Sequence, residues 1–375
     1  MSKMKKWQIA KYQTNSGNPL IDALPLLITG DQLMEMEYTP EVTEEERNLA
    51  AEERIQRLQR TREMFLVRPE MKRVGTKLDM LIRQAYLGRN PMNEEQADLG
   101  ETAQSFLFSG VYGIGKRTLI RHLCDLYPEV ICHQCYQGKI FHALQIPILR
   151  VCIPMDGGVA ALCQKMVDQM VQMTGTDTVE GRGSARKENG YDTLIRLIQE
   201  YHVGCVIVEQ MDFTDFSGKD QEKILRFLQG MQRETNVSIL IVCSESSADS
   251  LFVNSERSMA FTSANDLKYL PYEQGEEWDR FVDTLWGMQW VKNPVEKTVE
   301  MMETLYQWSR GITEVVIRAW IAVQEETLSH ERERWDIHDM NRACREALRN
   351  IQPYLSEIDA IHPQDLESAL DGVHL

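Results

Sequence analysis

The residues with the clearest chemical content lie in Gly110-Val111-Tyr112-Gly113-Ile114-Gly115-Lys116-Arg117-Thr118. Glycines at this spacing let successive backbone N–H groups turn inward as an anion nest, and a helix starting at the lysine adds its positive N-terminus. Gly110, Gly113, Ile114 and Gly115 would shape such a cradle, and Lys116 would reach the β- and γ-phosphates of a nucleotide. The residue after that lysine is ordinarily Ser or Thr, whose hydroxyl ligates magnesium. Here it is Arg117, with Thr118 one position later. Arg117 either neutralises phosphate charge itself or points outward as an ordinary helix residue.

A second constellation ends the apolar run Val203 to Val208, where the chain reads Val206-Ile207-Val208-Glu209-Gln210. An active phosphate-cleaving site would place two acids there, one for the metal and one as general base. Glu209 is expected to hold magnesium through water. Gln210 occupies the base position, and an amide cannot take a proton from attacking water, so hydrolysis should fall by orders of magnitude. Two other readings stay open: a working ATPase shifted by one residue, with Glu209 as base, and an adaptor that binds no nucleotide. Further candidates are Ser244 in Val242-Cys243-Ser244-Glu245 as a sensor of the γ-phosphate, Arg257 as an arginine finger from a neighbouring subunit, and Arg310 as a phosphate contact from the C-terminal region. Cys132-His133-Gln134-Cys135 has zinc-like spacing, but no second Cys or His pair lies at a suitable distance, and a structural zinc wants four ligands.

These residues need a scaffold, and the 375-residue chain is long enough to supply one. With 43% hydrophobic and 26% charged residues it is neither disordered nor fibrous, and no apolar run approaches a membrane span. Lysines in Met1 to Gln8 precede no apolar core of a signal peptide, and the eight cysteines are thinly spread in apolar surroundings, so a cytoplasmic protein with reduced thiols is expected. A net charge of −16 argues against general stickiness to nucleic acid. One local exception runs from Arg54 to Arg89, where ten basic residues (Arg54, Arg57, Arg60, Arg62, Arg68, Lys72, Arg73, Lys77, Arg83, Arg89) face three acids. It is either a DNA-contacting surface or a solvated helical face.

Residues 1–42 look like an extended arm, and 43–100 a helical segment. Thr43-Glu44-Glu45-Glu46 has capping-box spacing and opens a helix expected to reach Phe65, and a second helix follows Pro69 to about Tyr86. Over 101–275, strand candidates at Ser105–Phe108, Ile146–Ile153, Val203–Val208, Val237–Val242 and Asp266–Leu270 alternate with helical stretches at 116–126, 158–173, 190–200 and 219–234. β alternating with α predicts a parallel five-stranded sheet covered on both faces. Thr174 to Asn189 reads as a polar loop. Residues 276–375 show only helical spacing, at Trp278–Trp290, Val299–Arg310, Thr313–His330, Ile337–Leu355 and Pro363–Leu370, and the stripe Trp278, Phe281, Leu285, Trp286 reads as core. The tail carries Glu357, Asp359, Asp365, Glu367 and Asp371.

Several stretches together resemble the AAA+ transposition regulators of the TnsC/TniB type. They are Gly17-Asn18-Pro19-Leu20-Ile21-Asp22-Ala23-Leu24-Pro25, Arg89-Asn90-Pro91, Tyr127-Pro128-Glu129-Val130-Ile131-Cys132-His133, Tyr136-Gln137-Gly138-Lys139, Pro154-Met155-Asp156-Gly157-Gly158, Trp286-Gly287-Met288-Gln289 and Leu305 to Ile312. The resemblance implies a P-loop AAA+ core with a helical lid, ATP and magnesium as cofactors, and a homo-oligomeric ring or filament on double-stranded DNA. It also implies a matchmaking role between a TniQ/TnsD-type target-selection protein and the transposase. In such proteins the segment holding His133 and Tyr136 faces the DNA, which makes Lys139 the candidate phosphate contact. The chain departs from the family pattern at Arg117, Glu209 and Gln210, and no Arg-Arg pair follows Arg257.

Overall fold

The computed structural model describes residues 7–93, 103–154, 158–175, 190–210, 218–252 and 266–356. Its strands are β1 (Trp7–Ile9), β2 (Ser105–Gly110), β3 (Val130–Tyr136), β4 (Lys139–Gln145), β5 (Ile148–Cys152), β6 (Cys205–Glu209), β7 (Ser238–Val242) and β8 (Leu267–Tyr269). Its helices are α1 (Pro19–Asp22), α2 (Gly30–Met34), α3 (Glu44–Arg47), α4 (Ala51–Arg57), α5 (Pro69–Leu87), α6 (Lys116–Asp125), α7 (Val159–Thr174), α8 (Gly190–Glu200), α9 (Gly218–Thr235), α10 (Glu245–Phe252), α11 (Glu276–Gly287), α12 (Val299–Ser309), α13 (Thr313–Ser329) and α14 (Ile337–Ala347). Two compact units result: Met1–Leu33, Pro69–Tyr112 and Lys116–Tyr269 form one, and Met34–Arg68, Gly113–Gly115 and Leu270–Leu375 the other. The helical segment expected over 43–100 is thus divided between them.

In the first unit β5, β6, β7, β2 and β8 lie side by side in that order, all parallel. All five strand candidates fall on this sheet. Their near-continuous apolar runs follow from burial on both faces. On one face Leu149, Val151, Val206, Val208, Ile239 and Ile241 pack in one core with side chains of α7, α8 and α9. Alternate residues point to the other face, where Ser238 Oγ donates to the Leu81 carbonyl of α5.

A smaller sheet, in the order β1-β3-β4, was not evident from the sequence, which reads this stretch as a connection and the N-terminus as an extended arm. β3 and β4 form a hairpin whose turn residues Gln137 and Gly138 both have positive φ, 48° and 79°, the signature of a type I′ turn. The arm is pinned rather than free. Asp22 accepts from Tyr136 Oη at 2.5 Å and from the Ser16 N–H at 2.8 Å, and Asn18 caps α1 while donating to the Tyr86 carbonyl.

The helix expected from Thr43 to Phe65 is broken. Thr43 Oγ1 accepts the Glu46 N–H, as the capping spacing requires, but α3 stops at Arg47. The Asn48 amide donates to the Glu44 carbonyl, the local competition with helix that makes Asn a helix ender. The path resumes as α4 and continues as a 3-10 stretch, Leu58–Glu63. Both pack on α13 in the second unit. The core of that unit is a cluster of Trp286, Trp320 and Trp335, with ring centroids 4.6 to 5.8 Å apart. Arg54, buried among these helices, makes two bonds to Glu333 and one to the Trp290 carbonyl. Hydrogen bonds from Arg54 pull the Glu333 carboxyl down to about 2. The helix expected over Ile337–Leu355 is interrupted after Ala347 by a 3-10 turn at Arg349–Ile351, and helix resumes over 352–356. Pro353 falls in the first turn of the resumed helix, where its missing N–H would have no partner in any case. The expected helix at Pro363–Leu370 and most of the polar loop from Thr174 lie outside the described residues.

Candidate nucleotide site

β2 ends at Gly110 and α6 begins at Lys116, so the glycine-rich stretch is a strand–loop–helix turn, the setting a phosphate cradle requires. Each glycine has a separate reason. A Cβ on Gly110 would lie 2.5 Å from the Tyr269 carbonyl oxygen, so only glycine lets β8 pair at the mouth of the loop. Gly113 and Gly115 have φ of 82° and 102°, conformations that turn backbone N–H groups inward and that other residues rarely adopt. Ile114 is buried and anchors the loop. Lys116 Nζ donates to the carbonyls of Gly110 at 2.5 Å and Val111 at 3.0 Å, which holds the cation over the loop. Arg117 is exposed and Thr118 half-buried on the first turn of α6.

β7 lies between β2 and β6, so the loop-bearing and acid-bearing strands are separated by one strand. Glu209 ends β6 fully buried, at 1% exposure, and both its oxygens are engaged: Oε2 by Arg150 Nε at 2.7 Å and Oε1 by Arg150 Nη2 at 3.0 Å. The Cys152 thiol is 3.8 Å from Oε2. Burial works against the charge of Arg150, and its bonds to Glu209 more than offset this, so its pKa is raised. Burial pushes the nearby Cys124 thiol up to about 12, which keeps it protonated at neutral pH. Arg150 escaped the sequence reading, yet a signal was there. An arginine inside the apolar Ile148-Leu149-Arg150-Val151-Cys152 needs a buried partner, and Glu209 is the acid on the adjacent strand. Arg150 also lines a groove of about 530 Å³ with Cys124, Tyr127, Lys165, Asp168 and Met173.

Gln210, at the base position, is exposed with φ of 58°. Ser244 Oγ accepts the Ser247 N–H at 3.3 Å, the work of a helix cap on α10, and bonds Ser247 Oγ at 2.9 Å. Arg310 is half-buried in a left-handed turn at the end of α12, in the second unit, where its N–H donates to the Tyr306 carbonyl. Arg257 and the acidic tail from Glu357 lie outside the described residues. Lys139 is exposed at the start of β4. In the same hairpin the His133 and Tyr136 side chains are turned into the protein. His133 Nε2 lies 2.9 Å from Gln145 Oε1, and burial lowers its pKa.

The basic stretch is mostly consumed internally. Arg57 and Arg60 bind Glu46, Arg62 binds Glu314, Arg68 bonds the Leu270 carbonyl, Arg83 binds Asp79, and Arg89 bonds the Val203 carbonyl. With Arg54 also paired, Lys72 and Arg73 are left as its exposed members on α5. Arg54, Arg68, Arg83 and Arg89 are therefore structural cations, whereas Arg57, Arg60 and Arg62 hold partly exposed surface pairs and Lys77 is half-buried.

The expected magnesium does not fit the residues present. A guanidinium stands where the hydroxyl ligand belongs, and the acid expected to hold the metal is closed by Arg150. Among the described residues no group of three or more His, Cys, Asp or Glu side chains is arranged to hold a metal.

Residues 98–252 match the family described as an AAA domain. With the sheet order and the β2–loop–α6 turn, this establishes a P-loop AAA+ fold. No curated protein sequence matches the chain. Among solved structures the chain is similar to Cdc6p from Pyrobaculum aerophilum (TM-score 0.47, 13% identity, 74% of this chain and 67% of that chain). It is also similar to the ORC1 protein of Aeropyrum pernix in complex with DNA (TM-score 0.45, 13%, 76% and 67%) and to RuvB of Thermotoga maritima (TM-score 0.39, 13%, 74% and 69%). No residue role is taken from these likenesses. Among the described residues no helix is long and apolar enough to cross a membrane.

Proposed function

We propose that this chain binds ATP at the Gly110–Thr118 loop and, when it does so, assembles with further copies of itself on double-stranded DNA. The observation that carries this reading is the loop: glycines with positive φ on the turn between β2 and α6, and Lys116 held over them. The stretches that resemble TnsC/TniB regulators support a role in DNA transposition, with a TniQ/TnsD-type target selector and a transposase as partners. We assign Lys139, exposed on the β3–β4 hairpin, to the DNA phosphates. Hydrolysis is slow or absent, because Gln210 cannot act as a base. The shifted reading, with Glu209 as base, is opposed by the burial of that carboxylate against Arg150.

Sedimentation and phosphate release on the purified chain, with and without ATP and a long duplex, test this. The expected result is ATP-dependent co-sedimentation with DNA and no phosphate release above background, with assembly lost in Lys116→Ala. DNA-stimulated phosphate release overturns the stalled reading, and assembly indifferent to Lys116→Ala overturns nucleotide gating.

A further inference from the structure

Of the two positions that would hold a divalent ion in a phosphate loop of this kind, one is an arginine and the other is an acid engaged by an arginine. On α6 the hydroxyl position is Arg117, exposed on the first turn beside Lys116. Thr118 does not replace it, because one residue further along a helix is a rotation of about 100° away from the phosphate side. On β6 the buried carboxylate of Glu209 is bound through both oxygens by the half-buried Arg150 guanidinium, at 2.7 and 3.0 Å, in a fork-to-fork pair. Coordinating a metal would mean opening that pair and placing a second cation beside a guanidinium in a low-dielectric site.

Positive charge toward the phosphates is nonetheless retained without a metal. A conventional loop presents a lysine, a divalent ion and two carboxylates, a net of about +1 facing the phosphates. Here Lys116 and Arg117 supply about +2 without a metal, because Glu209 is already neutralised by Arg150 and Gln210 carries no charge. Arginine suits the exchange, as its planar fork matches phosphate oxygens and stays charged at any relevant pH.

We propose that this loop takes a nucleoside triphosphate as the free, metal-less anion, with Arg117 standing in place of the divalent ion. The proposal rests on nucleotide binding at the loop and specifies the form of the ligand. It also gives the stalled chemistry a second cause: without a metal at the leaving oxygens, the base position is not the sole deficiency.

The test is equilibrium binding of a fluorescent ATP analogue to the full chain, in EDTA and in excess magnesium. The expected dissociation constants agree within about threefold, or favour EDTA, because magnesium removes charge from the ligand. Tighter binding in magnesium by more than about threefold overturns the proposal while leaving nucleotide binding in place. Absence of binding in both buffers overturns the proposal together with the reading it rests on. Arg117→Ser provides a second arm. It is expected to weaken binding in EDTA by about tenfold, the loss of one charge-assisted contact, and magnesium should not restore it while Glu209 stays paired. Unchanged binding of Arg117→Ser in EDTA, or its full rescue by magnesium, also overturns the proposal.

Discussion

Glu209 and Arg150 are each costly to bury alone, and the two-bond geometry between them offsets much of that cost. Their pairing decides what the neighbouring Gln210 can be expected to do when altered. A well-placed general base contributes about 10²- to 10⁴-fold in rate. Gln210→Glu supplies the base but leaves Glu209 occupied and Arg117 in place, so phosphate release should rise by less than about tenfold. A phosphate-release assay on that variant checks this, and a gain of several hundredfold would show that only the base was missing. Ser244 illustrates the same lesson on a smaller scale. Its hydroxyl has a structural task as the cap of α10, which position along the chain did not reveal.

Among the elements, the turn between α12 and α13 is the most tightly constrained. Gly311 has φ of 71°, and a Cβ there would lie 2.1 Å from the Tyr272 carbonyl oxygen, whose own N–H donates to the Gly311 carbonyl at 3.0 Å. Gly311→Ala should therefore destabilise the helical unit by about 3 kcal/mol, through left-handed strain and a backbone clash together. Gly287→Ala is the control. Gly287 closes α11 with open space around it, so its change should stay within about 1 kcal/mol. Thermal unfolding of the two variants reads the difference, and equal midpoints would contradict it. The elements were legible to unequal degrees. The strands of the large sheet were visible as apolar runs, whereas β1 is three exposed residues and β3 and β4 mix buried and exposed residues along their length. Their one firm local signal, Gln137-Gly138 between alternating residues, is weaker than the Asn-Gly pair that usually marks such a turn.

For the whole molecule, a net charge of −16 opposes the approach of one chain to a duplex, and several members of the basic stretch are engaged with its own carboxylates. A single copy should then bind a duplex weakly, and affinity should come from many copies held together, each adding a small electrostatic contribution. Without ATP, duplex binding at physiological salt should be undetectable at about 1 μM, and with ATP it should appear and weaken steeply as salt rises. Fluorescence anisotropy across a salt series checks both parts. Tight binding without nucleotide would mean that single-chain contacts suffice.

What the sequence determined by itself is what local spacing encodes. A glycine-lysine loop after a β run, apolar strands at regular intervals and helices at a 3.6-residue period depend on neighbours a few residues away, and the parallel sheet follows from their alternation. Tertiary structure alone decided where each charge finds its partner. Arg150 meets Glu209 across 59 positions, and Arg54 meets Glu333 across 279. A charge removed from water must be paired wherever the fold brings an opposite group, and no periodicity in the chain records that distance. For the same reason the basic stretch did not record that Arg54, Arg83 and Arg89 would be taken up by internal partners.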